Sequence, residues 1–279
     1  MVAGYSRRIV GIKAGSSIFQ TEDCFDSVAD LIVPLTEQAD QIFFVVSAVK
    51  GETDRTIEEI AVEEAAALNE ALQGNPSLAS ARYNRTDIAA RLVAPENHSV
   101  RQLTTALQAR GIHALGLQHG PEYPLIGVDN GNFLYATPDI AASQRAMPRY
   151  NAQVVVVPGF GVRNHRGEIM CTGRGSSDLT LAQLGAVYGM DEILYWKDTG
   201  GYWVDPSRPE AGIRASVSRD EVIRAGAKVL DTRIFGTYTG PVRITTSGQL
   251  SGGTIIPAYQ QRQVIARTPQ PLYEAAAAK

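Results

Sequence analysis

Groups that could bind an anionic ligand are concentrated in the stretch CTGRGSSDLT, residues 171–180. Arg174 stands between two glycines, and Ser176, Ser177 and Asp178 follow it where a helical pattern begins. A guanidinium in a glycine frame suits bidentate binding of a carboxylate or a phosphate. Ser177 or Asp178 could simply cap the helix, but a cap needs one such residue and not the whole set. The cluster therefore predicts a ligand site.

Polar turns also follow two apolar runs that are typical of buried strands. The run IVGI leads into Lys13, Gly15 and Ser16, a turn entering a predicted helix, where backbone N–H groups could approach a phosphate. It is not a Walker A loop, because the lysine precedes the glycine. The run IFFVV leads into Ser47 and Thr53, which could reach an anionic or amino-acid ligand. Taken alone, each turn also fits ordinary turn and cap chemistry.

The elements that must position these groups alternate along the chain. Apolar runs typical of strands lie at residues 7–15, 41–49, 111–118, 152–160, 192–196 and 241–247. Helical patterns lie between them at residues 23–39, 55–72, 98–111, 176–189 and 218–230, the last opened by a capping-box signature at Ser218 and Glu221. Alternating strands and helices predict an α/β fold with a mostly parallel sheet. Ligands of such sheets bind beyond the carboxyl ends of the strands.

Composition excludes several classes of function. The 279 residues suffice for a sizeable core, and 44% hydrophobic with 20% charged residues is ordinary for a globular protein. A net charge of −3 gives no sign of a nucleic-acid partner. No apolar run approaches the ~20 residues of a membrane span, and no signal peptide is evident, so we expect no membrane contact and a cytoplasmic location.

Cysteine and histidine patterns predict no metal site in the protein. Cys24 and Cys171 have neither CxxC spacing nor a companion histidine, which also argues against a disulfide framework. The histidines lack ligand spacing, and we expect them in loops or at the surface; they are His98, His113, His119 and His165.

Motifs along nearly the whole chain carry a resemblance to a known family. They are, in order, IVGIKAGSS, VVSAVKGETDR, VVPGFGV with GRGSSDLT, WKDTGGYWVDP, RAGAKVLDTR and PVRITTSGQLSGGTII. The chain resembles the catalytic domain of aspartate kinases, in the amino acid kinase family. The resemblance implies a three-layer αβα sandwich, with an acceptor lobe at about residues 1–185 and a nucleotide lobe at about 186–279 of a single domain. Family enzymes commonly continue into ACT domains, and since this sequence ends soon after GGTIIPAY we expect none.

The same resemblance implies roles for individual residues. Lys13 would contact the transferred phosphoryl group, and Asp178 would organise the active-site lysines. Residues lining the acceptor side would be Ser47, Thr53, Glu96, Phe160 through its backbone, Arg174 and Ser177. Among them Arg174 would clamp a carboxylate and Glu96 would hold an ammonium group. Residues on the nucleotide side would be Gly15, Ser16, Lys197, Asp198, Trp203 and Lys228. ATP and Mg²⁺ are the implied cofactors, an amino acid the acceptor, and a homodimer the assembly.

Departures from the family pattern leave three functions open. Ser16 and Ser176 replace glycines, Pro95 replaces the glycine before Glu96, and Lys197 replaces a threonine. The first function is phosphorylation of the side-chain carboxylate of aspartate. The second is the same chemistry on another amino acid, carboxylate or phosphorylated acceptor in a specialised pathway. The third is a non-catalytic paralogue that binds a nucleotide or an amino acid.

Overall fold

A computed structural model describes residues 7–73, 86–173, 175–205, 207–208, 211–226 and 229–259. The strands are β1 (Ile9–Ala14), β2 (Gln41–Val46), β3 (Ala114–Gly116), β4 (Gly127–Val128), β5 (Thr137–Pro138), β6 (Val154–Pro158), β7 (Gly161–Arg163), β8 (Ile169–Cys171), β9 (Glu192–Trp196), β10 (Val242–Thr245) and β11 (Thr254–Ile256). The α-helices are α1 (Cys24–Ile32), α2 (Glu52–Leu72), α3 (Thr86–Ala109), α4 (Ile140–Arg145), α5 (Ser177–Tyr188) and α6 (Arg219–Ala225). Short 3₁₀ helices occupy Val33–Glu37 and Thr232–Gly236.

Seven of the strands form one sheet in the order β11-β10-β9-β1-β2-β6-β3. Every neighbouring pair is parallel except β10 with β11. The prediction of a mostly parallel α/β sheet is therefore confirmed. The strand order reverses at β1, which pairs with β2 on one side and β9 on the other. A reversal of this kind opens a crevice at the carboxyl ends of the strands, where ligands of such folds bind.

Helices cover both faces of the sheet, which gives the three-layer αβα arrangement expected from the resemblance. One core joins Val10 and Ile12 of β1 to the apolar sides of α1 and α3. The other joins Phe43 and Val45 of β2 to Leu181 and its neighbours on α5. Because both faces are buried, the parallel strands are continuous apolar runs in the sequence.

Helix α5 lies directly against β1 because residue 11 of that strand is a glycine. A Cβ atom at Gly11 would lie 2.6 Å from Leu181 Cδ1 and 2.6 Å from Met190 Sδ. A larger residue there would force the side chains of Leu181 and Met190 to shift. This close approach brings Ser177 and Asp178, in the first turn of α5, to the tip of β1.

Several helix boundaries differ from the predictions. The helix predicted at residues 98–111 begins at Thr86 and has Pro95 in its interior. The pattern at residues 23–39 is divided between α1 and a 3₁₀ helix that has a proline in its first turn. The helix predicted at residues 218–230 ends at Ala225, although the predicted capping box is confirmed. Helix α4 and the two- and three-residue strands β4, β5, β7, β8 and β11 were not predicted from their short patterns.

A buried arginine ties the segment after β11 to the rest of the fold. The Arg219 guanidinium donates hydrogen bonds to the carbonyls of Pro257 (3.1 Å), Tyr238 (2.9 Å) and Thr239 (2.8 Å), and also to that of Gly240. One side chain thus satisfies four carbonyl groups. Across the described ranges, no helix is both long and apolar enough to cross a bilayer.

Candidate active site

A cavity of about 540 Å³ opens beyond the carboxyl ends of β1, β2 and β6. Its walls contain eight residues predicted from the sequence, namely Lys13, Ser16, Ser47, Thr53, Glu96, Phe160, Ser177 and Asp178. The remaining lining residues are Ala48, Val49, Gly51, Asp54 and Gly175. Residues from strand tips, from α3 and from the start of α5 therefore meet in one concave site, as expected for a ligand pocket.

Asp178 is held between two lysines at one side of the cavity. Lys13 Nζ lies 2.9 Å from Asp178 Oδ1, and Lys197 Nζ lies 3.0 Å from Asp178 Oδ2. Burial by itself would raise the pKa of Asp178, but the two ammonium groups outweigh it and hold that pKa below its usual value. Tyr195 Oη also donates a 2.8 Å hydrogen bond to the backbone carbonyl of Asp178. The carboxylate is thus ionised and fixed in orientation.

Glu96 contributes a second carboxyl group, whose pKa is shifted in the direction opposite to that of Asp178. It lies in α3 with 5% of its surface exposed, and its Oε1 accepts a 3.3 Å hydrogen bond from Ser177 Oγ. Its Oε2 has no hydrogen-bond partner within the described parts of the chain. Burial raises the pKa of Glu96 to about 8, despite the opposing effects of Lys13 and Ser177. At neutral pH the cavity therefore contains a mostly protonated acid with one unsatisfied oxygen.

The polar residues at the start of α5 do not cap that helix. Ser176 occupies the cap position without a side-chain cap hydrogen bond, and its Oγ instead donates to the Gly173 carbonyl at 2.8 Å. Asp178 turns to the two lysines and Ser177 to Glu96. The capping alternative is therefore wrong, and Ser177 and Asp178 line the cavity.

The loop after β6 reaches α5 through a close backbone contact. A Cβ atom at Gly159 would lie 2.7 Å from Ser177 Cβ and 3.1 Å from Ser177 Cα. Phe160 follows with a φ of 69°, the one non-glycine residue of the described ranges with positive φ. Its carbonyl accepts hydrogen bonds from the backbone N–H (3.0 Å) and Oγ1 (3.1 Å) of Thr172. Backbone strain of this kind is concentrated at functional sites.

The turns after β1 and β2 form the opposite wall. Ser47 Oγ donates a 3.2 Å hydrogen bond to the Ala14 carbonyl, which joins the tips of the two strands. The Ile18 N–H closes the turn on the Gly15 carbonyl at 2.9 Å. Helix α1 begins at Cys24, next to the predicted start at residue 23, so a connecting segment separates the turn from the helix. Any anion there would depend on Lys13 and the turn, with no helix N-terminus behind them.

The residues predicted on the nucleotide side are only partly grouped. Lys197 joins Asp178, whereas Asp198 Oδ1 accepts a 3.0 Å hydrogen bond from the Thr199 N–H in the loop after β9. Trp203 Nε1 donates a 3.2 Å hydrogen bond to the Thr199 carbonyl, so Asp198 and Trp203 both bind the backbone of Thr199. Gly15, Asp198 and Trp203 are not part of the cavity wall. Arg174 and Lys228 lie outside the described residues.

Comparison with known proteins decides the family of this site. The model of the amino acid kinase family matches residues 8–236. The chain belongs to the amino acid kinase family. An aspartate kinase of Stutzerimonas stutzeri is 27% identical over 262 residues, which cover 88% of this chain and 57% of that protein. An aspartokinase of Pseudomonas aeruginosa is 27% identical over 252 residues, with the same two coverages. The chain therefore spans little more than half the length of these relatives.

Solved structures lead to the same family. An aspartate kinase from Synechocystis superposes with a TM-score of 0.67 at 26% identity, covering 90% of this chain and 40% of that one. Escherichia coli aspartokinase III in complex with aspartate and ADP has a TM-score of 0.67 at 22% identity, covering 91% and 65%. The second match supports the fold of this amino acid kinase.

His119 lies in the loop after β3, in keeping with the expectation that the histidines occupy loops or the surface, but it is buried, with 7% of its surface exposed. Its backbone N–H donates to Asn97 Oδ1 at 2.9 Å, and its ring lies 4.6 Å from that of Tyr123. Burial lowers the pKa of His119 to about 3, so the ring is neutral. The contact with Asn97 supports the helical turn that carries Glu96. Nothing in the local sequence signals it, since the contact joins residues 22 apart.

No group of three or more His, Cys, Asp or Glu residues in the described ranges is arranged to hold a metal ion. Both oxygens of Asp178 already face ammonium groups. The polar groups at the cavity include the Lys13 ammonium, the hydroxyls of Ser16, Ser47, Thr53 and Ser177, and the buried carboxyl groups of Glu96 and Asp178.

Proposed function

We propose that this amino acid kinase transfers the terminal phosphoryl group of ATP to the side-chain carboxylate of L-aspartate and forms an acyl phosphate. The observation that carries the proposal is a single cavity lined by Lys13, Asp178 and the buried Glu96, with Lys197 paired to the second oxygen of Asp178 just outside the cavity wall. The pair of Lys13 and Asp178 suits phosphoryl transfer, and Glu96 suits an acceptor ammonium. Relatives that cover most of this chain are aspartate kinases, which supports this acceptor.

Glu96 would recognise the amino group of the acceptor. An ammonium beside Oε2 would supply the missing partner and favour the charged carboxylate, which lowers the pKa of Glu96. Acceptor binding would therefore release a proton near neutral pH. Ser177, which already donates to Glu96, holds the carboxyl group in place. Arg174 would clamp the α-carboxylate, while Ser47, Thr53 and the Phe160 backbone would line the rest of the acceptor side.

Transfer itself would need positioning and charge neutralisation rather than a covalent enzyme nucleophile. An oxygen of the acceptor carboxylate attacks the terminal phosphorus of ATP as the bond to the bridging oxygen breaks. ADP keeps that oxygen and its electron pair. Lys13, fixed by Asp178, would stabilise the charge on the transferred group. No proton transfer is required, because the attacking carboxylate is already ionised.

The nucleotide would lie on the β9 side, against Gly15, Ser16, Asp198, Trp203 and Lys228, with Lys197 between it and Asp178. Mg²⁺ would supply additional neutralisation of the phosphate charges and would be bound by the nucleotide, since Asp178 faces two lysines. We further propose one domain with acceptor and nucleotide lobes, and a homodimer as the resemblance implies.

Phosphorylation of a different acceptor is the second candidate function, and two residues at or near the cavity support it. Ser16 lines the cavity and adds a side chain where the family has glycine. Pro95 stiffens the helix at the residue before Glu96. Both changes alter the shape of the acceptor space without removing the ammonium site. The phosphoryl chemistry would be the same with another amino acid in this pocket.

The deciding experiment measures ADP release from Mg²⁺-ATP with L-aspartate and with a panel of amino acids. Hydroxylamine traps the acyl phosphate as a hydroxamate. Lys13→Ala should abolish the product, whereas Arg145→Ala, an exposed charge at the end of α4, should retain full activity. Aspartyl hydroxamate lost only in Lys13→Ala supports the proposal. Turnover with another acceptor alone would replace aspartate, and nucleotide binding without turnover would favour the non-catalytic alternative.

A further inference from the structure

Lys197 is an unexpected member of the cluster at the cavity. The family pattern has a threonine at this position, and the resemblance would assign it to the nucleotide side. The side chain instead reaches Asp178, with Nζ 3.0 Å from Oδ2, and is not part of the cavity wall. A threonine is too short to replace this ammonium. Residue 197 therefore has a contact that the family pattern does not explain.

The backbone around Lys197 is well placed for this contact. In the sheet register Lys13 lies beside Tyr195, so residue 197 is one step beyond the tip of β1. The Lys197 N–H donates to the Thr245 carbonyl at 3.0 Å, which anchors the start of its loop to β10. Tyr195 holds the backbone of Asp178 through its hydroxyl group. Strand β9 and the residue directly after it thus contact Asp178 twice, Tyr195 at the backbone and Lys197 at the carboxylate.

The two lysines form ion pairs with the two oxygens of a single carboxylate. With Lys13 alone, Asp178 would form a neutral pair and would cancel much of the field of that ammonium. With Lys197 on the second oxygen, the three groups carry a net charge of +1 when all are ionised. Lys13 then keeps more of its attraction for phosphoryl oxygens entering the cavity. The second lysine also prevents the carboxylate from rotating away from Lys13.

We propose that Lys197 is a positioning residue for phosphoryl transfer, which acts through Asp178 to orient Lys13 and to leave the cluster with a net positive charge. The inference rests on the proposed function, because it assumes that Lys13 meets a transferred phosphoryl group. It assigns Lys197 to the reacting centre rather than to nucleotide binding. Its contribution should therefore be to kcat and not to the KM of either substrate.

Steady-state kinetics of Lys197→Met, Lys197→Arg and the charge-matched surface variant Arg145→Met test this assignment. Lys197→Met should lower kcat by about tenfold to a hundredfold, with both KM values within about twofold. Lys197→Arg should recover most of the rate, and Arg145→Met should match the wild type. A rise in the KM for ATP with unchanged kcat would overturn the inference in favour of nucleotide binding.

The pH profile gives a readout that a purely structural role would not change. The groups facing Asp178 are Lys13, Lys197 and the Tyr195 hydroxyl, and the next titratable group is Glu96 behind Ser177. Loss of one of two ammonium groups raises the pKa of Asp178. The acid limb of kcat should therefore move to higher pH by about one unit in Lys197→Met and return in Lys197→Arg. An unmoved limb would contradict action through Asp178.

A double-mutant cycle and a direct titration complete the test. In an Asp178→Asn background, Lys197→Met should cause little further loss of rate, whereas additive losses would overturn the inference. NMR titration of ¹³C-labelled aspartate carboxyl groups measures the pKa of Asp178 without turnover. If the wild type turns over no acceptor, the proposed function fails. The titration still tests the contact between Lys197 and Asp178 in that case. An Asp178 pKa that is equal in wild type and Lys197→Met would refute the contact.

Discussion

Replacing Glu96 with glutamine should change how the stability of the protein depends on pH. The carboxyl group is buried in α3, and one of its oxygens has no partner in the described part of the molecule. Burial raises its pKa from 4.5 to about 8. Glu96→Gln keeps the shape and the hydrogen bond from Ser177 but removes the titration. The difference between the two proteins therefore isolates this one group.

The sign and the size of the effect follow from the two pKa values. Below pH 4.5 the group is protonated in the folded and in the unfolded chain, so its contribution to stability is fully present. Between pH 4.5 and about 8 the unfolded chain loses the proton while the folded one keeps it. The free energy of unfolding of the wild type then falls by about 1.4 kcal/mol per pH unit, relative to the variant, toward an upper limit of about 5 kcal/mol.

Denaturant unfolding followed by tryptophan fluorescence, at pH values from 5 to 9, measures this difference. Glu96→Gln should be similar to the wild type at about pH 5 and more stable by at least about 2 kcal/mol at about pH 9. The exposed variant Glu58→Gln should stay parallel to the wild type throughout. A Glu96→Gln difference that is constant across this range would refute the reasoning, because it would mean that Glu96 ionises alike in the folded and unfolded chains.

Three further substitutions have defined outcomes. Gly159→Ala should raise the KM for the acceptor and destabilise the fold by about 1–3 kcal/mol, because the new Cβ would lie 2.7–3.1 Å from the backbone and side chain of Ser177. Acceptor kinetics and thermal melting measure these two effects. Equal effects of Gly236→Ala, at a position with open space around it, would contradict a steric cause. Ser218→Ala should lower the free energy of unfolding by about 1 kcal/mol through loss of the capping box, and an unchanged thermal midpoint would disprove this. Arg219→Met should lower the free energy of unfolding by about 3 kcal/mol, because it leaves the backbone carbonyls of Pro257 and Tyr238 without their donor. Arg219→Lys should recover part of that loss in the same denaturant unfolding experiment.

The parallel core of the fold could be predicted because its strands are buried on both faces. Such strands are continuous apolar runs, and the six runs found in the sequence all became strands of the main sheet. The antiparallel strand β11 and the two-residue pair β4–β5 could not be found this way. Their pairing depends on partners brought close by the rest of the fold and leaves little local periodicity. Pro95 misled the prediction of α3, because a proline usually marks a helix end.

The candidate site was predicted in part for a related reason. Residues at the end of a parallel strand or directly after it, such as Lys13 and Ser47, must meet at one edge of the sheet. The pairing of Lys197 with Asp178 was not foreseen, since it depends on where α5 lies relative to β9. The buried state of His119 was missed for the same kind of reason, because Asn97 and Tyr123 reach it only in the folded chain.

The glycine beneath α5 is a position of adjustment that lies outside the cavity wall. Gly11 lets the side chains of Leu181, in α5, and of Met190 pack directly on β1, the strand whose Lys13 lies 2.9 Å from Asp178 of the same helix. A methyl group at position 11 would press on these two side chains, neither of which lines the cavity. Divergence among homologues in rate or acceptor preference can thus arise from the thickness of one packing layer. Directed evolution of this protein should include position 11 beside the pocket residues.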